Sequence, residues 1–180
     1  DVVLLSSQTA SSDSTISFTS GIDSTYGEYI FKFYNIHPSN TSGPELTFQV
    51  NASSESGYNE TMTTTTFYAY NYESGGTPAL SYLTSDDQAQ GTAFQNIIKN
   101  IGADADESGI AELHLFNPAS TTYVKHFYAI GGAVTHETPP SMTQLISSGY
   151  INTTSAITEV QFKLSAGNID TGTIKMWGVK

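Results

Sequence analysis

Few residues of this chain could do chemistry, and they are scattered. The imidazoles are His37, His114, His126 and His136, and there is no cysteine. His37 precedes a proline and His136 sits in a Pro-rich stretch. His114 and His126 fall on neighbouring predicted strands, where they could pair across a sheet. A metal held there needs a third ligand, and Glu112 is the nearby carboxylate. Isolated strand histidines that pack or hydrogen-bond are the commoner outcome, and we expect that here.

The acidic run Asp104-Ala105-Asp106-Glu107-Ser108-Gly109 is a second candidate. Read as a calcium loop, it places Asp104, Asp106 and Ser108 at the first three oxygen positions, Gly109 at the sharp turn and Glu112 further on. Leu115 stands where the bidentate glutamate belongs, so the ligand set Asp104, Asp106, Ser108 and Glu112 is incomplete. A solvated acidic loop explains the same residues. No other cofactor is expected.

Tyr68, Tyr70 and Tyr72 share one face of a predicted strand. They would form either a stacking platform for sugar rings or a face packed on a neighbouring subunit or on the predicted helix, and an interface is favoured. Trp177, close to Ile174 and Met176, is expected in the core. Hydroxyls are abundant, yet no G-x-S-x-G elbow occurs and no His–carboxylate pair has a telling spacing. A non-enzymatic role follows. Asn40, Asn51, Asn59 and Asn152 head N-x-[ST] triplets, which matter only in a host that glycosylates asparagine.

The frame that must position these residues is a chain of 180 residues with net charge -11, from 6 Lys+Arg against 17 Asp+Glu. Nucleic acid and anionic membranes repel such a surface, and both are excluded as partners. Only 13% of residues are charged, so polarity comes from Ser, Thr, Asn, Gly and Tyr and suits an extracellular setting. No apolar run is long enough to span a bilayer. The start, Asp1-Val2-Val3-Leu4-Leu5, is no signal peptide and lacks an initiator Met, so a preceding segment is expected. Without disulfides, stability must come from a sizeable core or from oligomerisation.

Strands are predicted at residues 2–5, 15–18, 28–36, 46–51, 62–72, 110–116, 123–131, 157–164 and 173–179. Turns and loops separate them, one of them at residues 53–57. Residues 86–101 fit a helix, with Phe94, Ile97, Ile98 and Ile101 at helical spacing, Asp86 or Asp87 as N-cap and Gly102 as the stop. Residues 135–148 read as an irregular excursion. The expected fold is all-β, a jelly-roll-like β-sandwich with one short helix. Residues 1–14 are an N-terminal arm or first strand, and 15–180 form the sandwich.

Several stretches carry a resemblance. They are Ile22-Asp23-Ser24-Thr25-Tyr26 running into Glu28-Tyr29-Ile30-Phe31-Lys32-Phe33-Tyr34, then Asp87-Gln88-Ala89-Gln90-Gly91-Thr92-Ala93-Phe94-Gln95. Glu112-Leu113-His114-Leu115-Phe116-Asn117-Pro118, Gly149-Tyr150-Ile151-Asn152 and Gly172-Thr173-Ile174-Lys175-Met176-Trp177-Gly178-Val179 follow. The chain from about residue 15 onward resembles a domain recurring in structural proteins of tailed bacteriophages, particularly marine and cyanobacterial ones. The resemblance implies a β-sandwich module on the virion surface, as a head decoration or a fibre domain, and brings no catalytic motif. It implies homo-oligomers, most simply trimers, docked to other virion proteins through the N-terminal arm, with a host surface glycan as a further contact. A secreted carbohydrate-binding module and a calcium-stabilised adhesin are the alternatives.

Overall fold

The computed structural model describes residues 1–53 and 55–180; Ser54, within the loop expected at 53–57, lies outside the described residues. In chain order the strands are β1 (Val2–Thr9), β2 (Ile16–Phe18), β3 (Glu28–Pro38), β4 (Leu46–Ala52), β5 (Met62–Tyr72), β6 (Ala79–Tyr82) and β7 (Ala89–Gly91). They continue as β8 (Gln95–Ile98), β9 (Gly109–Phe116), β10 (Lys125–Val134), β11 (Ser141–Ile151), β12 (Ile157–Leu164) and β13 (Ile169–Val179). The protein is an all-β sandwich of two antiparallel sheets. Nine strands make the larger, in the order β1-β13-β3-β9-β10-β11-β5-β6 with β7 also paired to β5. Four make the smaller, in the order β2-β12-β4-β8.

Alternation explains most of these strands. In β3, Tyr29, Phe31 and Phe33 point into the sandwich while Ile30 and Lys32 point out. Phe48, Val50, Val160 and Phe162 answer from the small sheet. Phe18, Phe31, Phe33 and Phe162 meet edge to face at centroid distances of 4.9 to 6.1 Å. Each buried phenylalanine contributes roughly 1.5–3 kcal/mol.

Three expectations are corrected. Residues 86–101 are not a helix: among the described residues the sole helical turn is a 3-10 turn at Thr84–Asp86, and β7 and β8 follow. The helical spacing arose because both Ile97 and Ile98 are buried, next to a register irregularity where β8 meets β4. Asp86 caps nothing; its carboxylate accepts hydrogen bonds from Asn96 (3.0 Å) and Lys99 (3.1 Å). The excursion at 135–148 holds instead the first part of β11, paired along its length with β10 and β5. Of the two readings of residues 1–14, the strand is the observed one, since β1 pairs with β13 and edges the large sheet. Trp177 lies half-buried on the outer face, opposite in parity to buried Ile174 and Met176, and its indole N–H finds no hydrogen-bond partner among the described residues.

Candidate functional site

The outer face of the large sheet is where unusual side chains collect. Register places Lys32, Glu112, Ile130, Ile146, Phe67 and Tyr82 in one row across β3, β9, β10, β11, β5 and β6. A neighbouring row runs Ile110, Gly132, Gln144, Ala69 and Leu80. Of the large apolar side chains that the described residues leave exposed, all but Val3 and Tyr123 stand on this face. Ile110 is 56% exposed, Met142 52% and Leu80 72%.

In β11 the usual polarity is partly inverted. Ser141, Thr143 and Ser147 face inward beside buried Leu145, whereas Met142 and Ile146 face solvent beside Gln144. The inward hydroxyls are satisfied: Thr143 Oγ1 donates to Ala133 O at 3.2 Å, Ser147 Oγ to Asn96 O at 3.0 Å, and Ser141 Oγ pairs with Thr135 Oγ1 at 3.0 Å.

A seam of charge crosses this field. Glu28 Oε1 lies 2.6 Å from His114 Nδ1, and Glu112 Oε2 lies 3.3 Å from His114 Nε2. Glu112 Oε1 in turn sits 2.8 Å from Lys32 Nζ. The Lys32 hydrogen bond, helped by His114, holds the Glu112 carboxyl below its ordinary range, and the same bond pushes the Lys32 ammonium up. The His114 ring stacks on Tyr128 at 4.4 Å and 15°. Burial, then the two glutamates, push the Tyr128 phenol up. With both ring nitrogens of His114 facing carboxylates, neither is left to activate a hydroxyl.

A shallow cleft of about 540 Å³ opens between these rows, walled by Tyr34, Ile110, Ile130, Met142 and Gln144. Its floor is Gly132, where a β-carbon would stand 2.8 Å from the Met142 methyl and 3.0 Å from Thr143 O.

The residues singled out from sequence are placed differently. Tyr68, Tyr70 and Tyr72 are half-buried on the opposite side of β5, with rings tilted by 43° and 70° to one another, so they form no flat platform. Burial, then the Glu137 charge, push Tyr68 up to about 12.

The acidic loop closes on itself. Glu107 N–H donates to Asp104 O at 2.9 Å, and the Glu107 carboxylate accepts from Asp104 N–H at 2.8 Å. Asp104 and Asp106 are exposed, while Glu112 is on β9, engaged by Lys32 and His114. Gly109 opens β9 under Ile98 and is not a loop turn. The structure therefore does not gather Asp104, Asp106, Ser108 and Glu112, and no group of three or more His, Asp or Glu able to hold a metal occurs among the described residues. His126 pairs with Tyr150, not with His114.

The outer-face residues Ile110, Ile130, Met142 and Ile146 went unnoticed in the sequence. The available signal was β10 and β11 themselves, where bulky residues alternate with Gly, Ala, Ser and Thr.

No family model matches the chain, and no curated protein does. A Bacteroides ovatus protein of unknown function is similar at 3% identity and TM-score 0.30, over 59% of this chain and 45% of that one. Scytalido-glutamic peptidase, solved with a peptide-based transition-state analogue, gives 11% identity and TM-score 0.18 over 86% of this chain and 66% of its own. A putative pore-forming toxin from Bacteroides vulgatus gives 7% and 0.12, over 94% and 60%. At such TM-scores none of them carries an argument.

Proposed function

We propose that this chain is a non-enzymatic structural protein of a tailed-bacteriophage virion, displayed on the particle surface as a head decoration or fibre module. It assembles with its own copies through the outer face of the large sheet. The observation that carries this reading is the gathering of exposed Ile, Met, Leu, Phe and Tyr side chains on that one face. Charge selects the partner. Copies of a chain with net charge -11 repel one another overall, but on this face Lys32 and Lys175 balance Glu28 and Glu112, so the contact itself adds no like-charge repulsion.

Symmetric closure covers the face without leaving an open polymer: a trimer if two different parts of the face meet head to tail, or a two-fold dimer if the face meets itself. The edge strand β1 carries the attachment to other virion proteins, consistent with its unpaired outer side. Among the described residues no helix is long and apolar enough to cross a membrane. A secreted carbohydrate-binding module is the second reading, favoured by a neutral aromatic pocket at one end of the sandwich. Light scattering on the purified chain tests the first: a closed oligomer is expected at micromolar concentration, and a stable monomer would contradict it.

A further inference from the structure

The end of the sandwich where β9 turns into β10 carries a second depression, of about 670 Å³. It shares no lining residue with the cleft over Gly132. Four rings line it: Tyr26 from the turn before β3, Phe116 from the end of β9, Tyr123 from the loop between β9 and β10, and His126 from the start of β10. Asn117 and Ser120 add neutral hydrogen-bonding groups.

The pocket is held in shape before any ligand arrives. Asn117, in the left-handed region at φ 45°, donates its N–H to Gly27 O at 2.7 Å, which joins the two loops. Ser120 Oγ accepts from the N–H groups of Thr122 (3.2 Å) and Tyr123 (3.1 Å), which fixes the tip. Tyr26 stands edge-on to buried Tyr29 at 5.9 Å. Tyr123, 74% exposed, is thus a large ring presented to solvent on an ordered turn.

Composition narrows the ligand. No Asp, Glu, Lys or Arg lines the pocket among the described residues, although the chain as a whole is strongly acidic. A phosphate or carboxylate ligand finds no Lys or Arg in the lining, where the Lys180 ammonium stands 6.0 Å from the Tyr26 ring centre, and an ammonium ligand finds no carboxylate. A purely apolar ligand would strip water from the Asn, Ser and His groups without replacing it. A molecule with C–H faces to lie on rings and hydroxyls to meet Asn117, Ser120 and His126 satisfies both surfaces. We infer that this pocket binds a neutral saccharide. The inference rests on the surface-display reading for its setting, since a host glycan is what such a module would meet.

The test is saturation-transfer NMR on the wild-type chain with a panel of neutral oligosaccharides (maltotriose, lactose, chitotriose), with sialyllactose as the anionic control. Transfer to at least one neutral sugar is expected. Tyr123→Ala should weaken it roughly tenfold, as should His126→Ala, because each removes a ring from an exposed site. Unchanged amide spectra of both variants would show that the fold persists. Failure to bind any neutral sugar at millimolar concentration, binding of the sialylated control alone, or binding untouched by both substitutions overturns the inference. Oligomer mass is read separately. An oligomer that ignores sugars sinks this inference alone, and a sugar-binding monomer sinks the assembly reading alone.

Discussion

Tyr29 joins a fully buried ring to a phenol that organises a turn. Its hydroxyl accepts the Asp23 N–H at 2.9 Å and donates to Asp23 O at 3.0 Å. Tyr29→Phe keeps the packing but leaves those groups unpaired, so it should cost about 1–2 kcal/mol, read as a lower urea midpoint. Tyr68 makes a pH-dependent contribution instead. Its phenol is pushed from 10.0 up to about 12 in the folded chain, by burial and then by Glu137. The stability linked to it is therefore complete below the unfolded value and is lost as pH rises from 10 through 12. Tyr68→Phe should flatten the alkaline fall in urea midpoint between about pH 9 and about pH 12. It should not abolish the fall, because Tyr29, Tyr58 and Tyr128 are also raised. Equal slopes in the two proteins would contradict this account of Tyr68.

Among the elements, β8 explains most about how the two sheets are spaced. Its backbone lies directly against β10, so a β-carbon at Gly131 would come within 1.9 Å of Ile97 O. Backbone cannot yield as a side chain does, and Gly131→Ala should cost roughly 3 kcal/mol, at the top of the usual overpacking range. Thermal melts of the two proteins check this. The acidic loop, closed by Glu107 upon Asp104, should need no metal, so adding a chelator should leave the melting temperature unchanged; a fall would restore a calcium role for Asp104 and Asp106.

These elements also mark what the sequence could tell. β3, β4 and β12 were legible because large apolar residues point to the core at every second position. β8 looked helical because Ile97 and Ile98 are buried in succession, and a burial pattern without period two mimics a helix turn. β11 is hard to read in the sequence because its inner face mixes Ser141, Thr143 and Ser147 with Leu145, and its outer face mixes Met142 and Ile146 with Gln144, so neither face is consistently apolar. The candidate site was hidden for a related reason. Ile110, Ile130, Ile146 and Phe67 are far apart in sequence, and register alone brings them together.

At the scale of the whole molecule, the two faces of the large sheet have exchanged part of their usual roles. The inner face accommodates Thr64, Thr66, Thr143, Ser147 and even Lys125, whose ammonium donates to Thr153 O at 3.0 Å and to Ser155 O. The outer face carries Ile30, Ile110, Ile130 and Ile146, while Ile36, Ile151, Ile169 and Ile174 of the same sheet stay in the core. On the proposed assembly, copies of the chain cover this outer face. The most direct measurement is oligomer mass by light scattering, comparing the wild-type chain with Ile130→Glu. Ile130 is exposed in the monomer, so the variant should fold, as its circular dichroism would confirm. An isolated glutamate buried at an interface costs several kcal/mol, enough to dissociate copies at micromolar concentration. The account predicts a closed oligomer for the wild type and a monomer for Ile130→Glu. Identical masses for the two, whether monomeric or oligomeric, would contradict it.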